Sequence, residues 1–310
     1  MVHAIRRIAV SSTAALTFGY PALGGAQETF QAEAGLSYSR SKADGLQQNS
    51  ASLDATYFFH ELPQLPRDYP LDQVPFVERA GGLTAYYTRS SFDIEGFQNV
   101  IKPSSYSIAA RFTPPDTPLI LGAGYGYSYA GKYGGSLGTA TYDTESEAKG
   151  YQLTVGSYID KSTAFTLDWS RDRGEAKITS TSPSLNLTES YTSTSIGLSG
   201  QHLARLGNGD HIAIWASFTQ RTFEPEGAET EKNRSYFFRT TYYPTKMLGL
   251  WLGIQVDRGD GTSLEGETYL AGASMFVTQD ASLGLAYLRF QAKASDDNAN
   301  TVMLSGRMRF

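Results

Sequence analysis

The chain has no cysteine, so disulfides play no part in its fold; the absence fits a secreted protein that does without them. Past its first 26 residues it also lacks any apolar run of about 18 residues, which excludes a transmembrane helix there. A surplus of positive charge is missing too. The 26 Lys and Arg are outnumbered by 31 Asp and Glu, for a formal net charge of −5. An acidic chain with scattered cations offers no basic patch, so nucleic acid is excluded as a partner. Charged residues make up only 18% of the sequence, whereas Gly (31) and Tyr (20) are abundant.

The first 26 residues have the pattern of a cleavable export signal. Arg6 and Arg7 form a basic start, Ile8 to Leu23 an apolar stretch, and Gly24-Gly25-Ala26 the small residues before a cleavage site. Two domains follow from this division, a signal peptide over 1–26 and a mature region over 27–310 exported through the Sec pathway. Removing Arg6 and Arg7 takes the net charge to about −7.

From Phe30 onward, apolar and polar residues alternate in segments of about ten. In Phe30–Tyr38 the Phe, Ala, Ala, Leu and Tyr share one face, with Gln, Glu, Gly and Ser opposite. Leu53–Tyr57 repeats the pattern. Further segments lie near 78–90, 104–113, 118–130, 148–158, 163–171, 191–200, 211–222, 235–243, 248–257, 267–277, 282–292 and 301–310. The set predicts an all-β protein, a transmembrane antiparallel up-and-down β-barrel of about 14 strands, with 12 or 16 as alternatives. Such a barrel explains the negative mean hydropathy, because only alternate residues meet lipid.

Connectors at 41–49, 91–103, 131–147, 172–190, 223–234, 258–266 and 293–300 are mostly long and polar, as outer loops are. Those between them are mostly short, as periplasmic turns are: Pro114–Thr117, Asp160-Lys161, Pro244–Lys246 and Gln279-Asp280. Two depart from this. Segment 201–210 is long, and segment 60–77, with Pro63, Pro66, Pro70 and Pro75, is expected to be a periplasmic loop, with a partial plug of the mouth as the alternative. Tyr57, Phe59, Phe112, Tyr242 and Phe310 fall at periplasmic strand ends, and Tyr127, Tyr129 and Tyr236 toward outer ends, matching two aromatic girdles.

In the last segment, Val302, Leu304, Met308 and Phe310 share one face and Arg307 and Arg309 the other. An amphipathic strand ending in Phe resembles the signal that the barrel-assembly machinery reads in outer-membrane proteins, with Phe310 as the residue recognised. More broadly, the chain resembles Gram-negative outer-membrane porins, and within them the family of general bacterial porins. The likeness rests on Ala32–Ser39, Leu53–Phe59 and Pro75–Ala80. It implies passive diffusion of small hydrophilic solutes or ions across the bacterial outer membrane, with outer-membrane lipid and lipopolysaccharide outside and no cofactor. The oligomeric state stays open, the chain being shorter than sixteen-stranded trimeric porins.

Strand parity turns Glu33, Asp54, Asp168 and Asp257, and Arg111, Arg239, Arg307 and Arg309, toward the lumen as pore-lining charges. The signs nearly balance, and pairing across strands is the alternative role. Gly122, Gly124 and Gly126 alternate on one face of a strand, without the spacing of a phosphate loop. His60, His202 and His211 fall at periplasmic ends as turn residues, away from where a lipid-directed active site would sit, so the chain is not expected to be an enzyme. Asp257–Asp260 and Ser295–Asn298 lack the register of a calcium loop, so no metal is expected, and the sequon at Asn186 carries no meaning in a bacterial protein. Two other functions remain open: a hydrophobic-substrate transporter, ranked second because no plug segment precedes Phe30, and a structural or adhesive barrel with a closed lumen.

Overall fold

The computed structural model describes residues 28–310 except 44, 65, 67, 95–101, 115, 138–139, 182–183, 261–264 and 294–297. The signal segment 1–26 and the 295–297 acidic cluster lie outside the described residues. Fourteen antiparallel strands form one closed barrel in sequence order, β1 pairing with β14. They are β1 Thr29–Ala43, β2 Leu46–Pro63, β3 Gly82–Ile94, β4 Pro103–Phe112, β5 Leu119–Leu137, β6 Ala140–Tyr158 and β7 Thr163–Thr181. The other seven are β8 Ser184–Arg205, β9 His211–Pro225, β10 Glu231–Thr245, β11 Leu248–Asp260, β12 Gly266–Phe276, β13 Ala281–Ala292 and β14 Asn298–Arg309.

The outward face is a belt of exposed large apolar side chains, among them Leu36, Leu53, Ile108, Leu153, Leu198, Leu252 and Leu304. Exposed apolar surface on this scale is stable only against lipid. No helix among the described residues is long and apolar enough to cross a membrane. The seam closes where Phe310 N–H donates to the Ala32 carbonyl at 2.9 Å and its own carbonyl accepts from Gln31 at 2.7 Å. Phe310 itself points outward, 43% exposed.

Two expectations about connectors are corrected. The stretches 131–147 and 172–190 are not loops: β5–β6 and β7–β8 stay paired to Leu137↔Ala140 and Thr181↔Ser184. A membrane crossing takes about 9–11 residues per strand, and β5 to β8 have 19, 19, 19 and 22. Outward positions change from Tyr151, Trp169 and Ile196 to Lys149, Arg171 and Thr194 where the lipid ends. The apolar alternation stops there, but backbone pairing needs no apolar face and continues. Segment 201–210 likewise shrinks to a turn, because β8 runs to Arg205.

The second correction concerns 60–77. After β2 the chain folds inward as a 3₁₀ turn, Leu71–Gln73, and a short helix α1, Val74–Val77, before entering β3 at Gly82 rather than near 78. Pro75 sits in the first turn of α1, where its missing N–H costs nothing. Arg79 takes a left-handed φ of 54°, a conformation a non-glycine residue adopts at a cost, where the segment bends into the wall. The expected periplasmic loop is thus a plug, and the physical reason is its apolar content: Leu71 and Val74 are fully buried, at 1% and 0% exposure.

Candidate functional site: the plugged lumen

The plug touches the wall almost all the way round. Val74 and Ala80 pack with Phe30, Phe58 and Leu62 on the β1–β2 side. Phe76 reaches the cluster of Ile120, Tyr158 and Ala164 on β5–β7, its ring 5.7 Å from that of Tyr158. Tyr69, Phe76 and Val77 meet Leu203, Ala213 and Tyr243 on β8–β10. Polar contacts complete the ring. Gln201 donates to the Gln73 carbonyl oxygen at 2.8 Å, and Gln73 Nε2 donates to the Tyr243 hydroxyl at 2.8 Å. Tyr243 in turn donates to Asp72 at 2.8 Å. His211 Nε2 donates to the Asp68 carbonyl at 2.7 Å, and Lys246 Nζ to that of Pro66 at 3.0 Å. His211 is therefore a buried anchor of the plug at the first residue of β9, not a turn residue.

Burial pushes the Asp72 carboxyl above its usual 3.8, opposed by Tyr243 and by the guanidinium groups of Arg309 and Arg239. Its Oδ1 meets no hydrogen-bond donor among the described residues. The Tyr69 phenol is also raised, by burial first and then by its hydrogen bond to Glu78.

All eight lumen candidates point inward, but they form two groups. Glu33, Asp54, Arg307 and Arg309 come together at the β14–β1–β2 seam. Arg309 Nε donates to Glu33 at 2.8 Å, Arg307 to Glu33 at 3.1 Å, and Arg307 lies 3.8 Å from Asp54. Arg309 is only 3% exposed and donates through Nη2 to the Leu71 carbonyl at 2.7 Å. These four charges pair across strands and fasten the plug. The other four are dispersed. Arg111 donates to the Tyr158 hydroxyl at 3.1 Å, Asp168 accepts from Thr154 at 2.5 Å, and Asp257 accepts from Gln255 at 3.0 Å. Arg239 lies between the Trp215 and Trp251 rings, 5.2 and 5.9 Å from their centroids. Among the described residues no cluster of His, Asp or Glu could hold a metal ion.

The remaining inner wall is not uniform. Around β2–β3 and β7–β8 it consists of hydroxyl pairs: Ser52 with Thr88 at 2.9 Å, Thr56 with Thr84 at 3.0 Å, Thr166 with Ser199 at 2.8 Å and Ser170 with Ser195 at 2.7 Å. On β10 to β14 it includes an apolar patch, with Trp251, Leu270, Ala286 and Met303 clustered against Phe237 and Leu288. Inward parity alone predicts a polar wall here. The signal was the doublet Phe237-Phe238, in which one ring must face inward.

A closed barrel with an apolar belt, a water-compatible lumen and a mouth stopped by its own chain defines an outer-membrane channel protein. The chain belongs to the family described as "Putative general bacterial porin", whose model matches residues 5–310. Its place is the bacterial outer membrane. Solved structures agree on the fold. Omp33 of Acinetobacter baumannii is similar with a TM-score of 0.58 at 13% identity, over 91% of this chain and 99% of that one. The toluene transporter TodX of Pseudomonas putida is similar with a TM-score of 0.50 at 12% identity, over 92% of this chain and 90% of that one. No curated protein matches the chain by sequence.

Proposed function

We propose that the protein conducts small hydrophilic solutes or ions by passive diffusion, through a lumen whose periplasmic mouth is narrowed by the plug. The observation that carries this reading is the hydroxyl-lined wall inside a closed barrel, which offers solutes hydrogen bonds in place of water. Arg111, Asp168, Arg239 and Asp257 set the local field along the path, whereas the Glu33–Arg309 group serves the plug. The chain acts as a channel rather than an enzyme, after export through the Sec pathway with removal of 1–26 and insertion guided by Phe310.

The test is single-channel recording from refolded protein in a planar bilayer. We expect small ohmic steps from the native chain. Larger steps are expected from a variant with a short Gly-Ser link in place of 66–79. Silence from both variants, in protein that shows heat-modifiable migration, would overturn the reading.

A further inference from the structure

The chain as a whole carries more acid than base, 31 Asp and Glu against 26 Lys and Arg, yet the outward face of the barrel is basic at one height. Directly past the last apolar or aromatic outward residue, toward the tall hairpins, β1, β3, β6, β7, β10, β11 and β13 each place a Lys or Arg. Only β12 places a carboxylate there among the described residues, Glu267. At the periplasmic ends of the strands, the outward positions hold no Lys or Arg among the described residues. The cations therefore mark one rim of the lipid belt.

The densest part of this rim is on β6 and β7. Lys149 stands directly opposite Arg173, and Arg171, two positions nearer the lipid, shares their face. All three are exposed. Facing side chains on neighbouring strands lie about 5 Å apart, and like charges so placed destabilise the pair. Lys149 reaches Glu147 at 3.5 Å, whereas Arg171 and Arg173 are in no ion pair among the described residues. Three cations crowded against their own repulsion form a place for an anion from outside the chain.

The surroundings fix the depth of that anion. Arg171 follows Trp169 on the outward face of β7, and its direct neighbour on β6 is Tyr151, 62% exposed. Lys149 Nζ lies 5.8 Å from the centre of the Tyr127 ring. Tyr and Trp rings at the edge of an apolar belt sit at headgroup level, so these cations meet lipid headgroups rather than acyl chains. Phosphate is the anion at that depth, and Arg receives it on paired hydrogen bonds. A phosphate monoester carries roughly −1.5 to −2 charges at pH 7, more than a diester, and so matches clustered cations more closely.

We propose that Lys149, Arg171 and Arg173 form a binding site for the phosphate monoesters of lipopolysaccharide in the outer leaflet. The site is on the outside of the barrel and does not depend on what passes through the lumen.

The test is native mass spectrometry of the refolded protein in detergent, titrated with lipid A as the probe. Bis-phosphorylated lipid A should bind its first copy about tenfold more tightly than dephosphorylated lipid A or phosphatidylglycerol, and should stay bound in excess inorganic phosphate. Arg171→Gln combined with Arg173→Gln should weaken that first copy about tenfold. Lys177→Gln, farther up the same face of β7, should leave it unchanged. The double variant removes the repulsion opposite Lys149, so it should fold and keep heat-modifiable migration. Equal binding of dephosphorylated lipid A or of phosphatidylglycerol would overturn the proposal. Displacement by inorganic phosphate would overturn it as well, by making this a site for the free ion. So would a folded double variant that binds as the native chain does, or a double variant that fails to fold because the cations serve the wall itself.

Discussion

Arg309 and Leu71 are 238 positions apart in the chain, yet the guanidinium of the first donates to the backbone carbonyl of the second at 2.7 Å. The strand that closes the barrel thus also holds the plug in place. Its charge is neutralised on the spot by Glu33 of β1, and its flat face covers Phe30 and Phe276 at 4.4 and 4.7 Å. Arg309→Met should leave Glu33 buried with one partner fewer. Removing one side of a buried ion pair costs about 3–5 kcal/mol, so denaturant unfolding of the refolded variant should shift by that order. The exposed pair Lys177–Glu175 provides the contrast, and Lys177→Ala should change stability by less than about 1 kcal/mol.

The plug can also be loosened without touching the seam. Tyr243 is its central polar anchor, donating to Asp72 and accepting from Gln73. Tyr243→Phe keeps the ring against Tyr69 and Phe76 and removes only the hydroxyl. The variant should fold normally and show more frequent large openings in single-channel records. Unchanged gating would mean that the apolar contacts alone decide docking.

Acidity should tighten the plug. Docking raises the Asp72 carboxyl above its ordinary 3.8, mainly through burial. The docked state therefore binds the proton more strongly than the undocked state. Protonation favours docking fully below 3.8, and the advantage is lost as pH climbs through the raised docked value. Conductance should fall as the bath is acidified from neutral. Asp72→Asn should stay docked at all pH values and flatten the profile.

How far the sequence foretold this can be traced to individual residues. Period-two alternation located β9 from 211 and β13 to 292, because a wall with lipid on one side and water on the other forces that pattern. Parity also turned Glu33, Arg307 and Arg309 inward. That they meet was not legible, since the contact needs the Glu33↔Arg309 register, which exists only once the barrel has closed. The outer halves of β5–β8 have the sequence pattern of loops because Ser, Thr, Glu and Lys occupy both faces there. The plug was hidden by its prolines, which mark irregular backbone without saying where that backbone goes. Leu62, Leu71, Val74 and Phe76 between them were the available sign that it would be buried.

Arg111 offers the simplest test of the lumen charges. It projects from β4 near the plug, exposed to the interior, with its guanidinium on the Tyr158 hydroxyl. Arg111→Glu replaces a cation by an anion at the narrow end of the path. Under a salt gradient the reversal potential should move toward cation preference. An unmoved potential would mean that permeating ions do not pass this wall.

The tall outer hairpins make the last prediction. Above the lipid boundary, β5–β8 keep their backbone pairs, but their outward faces carry charge. Tyr129 donates to Glu145 at 2.9 Å, and Lys177 pairs with Glu175 at 3.0 Å. No lipid burial supports this region, and exposed pairs of this kind contribute little. The stability of the barrel should therefore reside below it, in the belt of Leu153, Leu167 and Leu198 and in the plug. Excising 132–144 and 176–189, with short Asn-Gly turns in their place, should leave heat-modifiable migration intact. If the trimmed chain failed to fold, the extension would be acting as the template on which the barrel closes, and the division drawn here at the lipid boundary would be wrong.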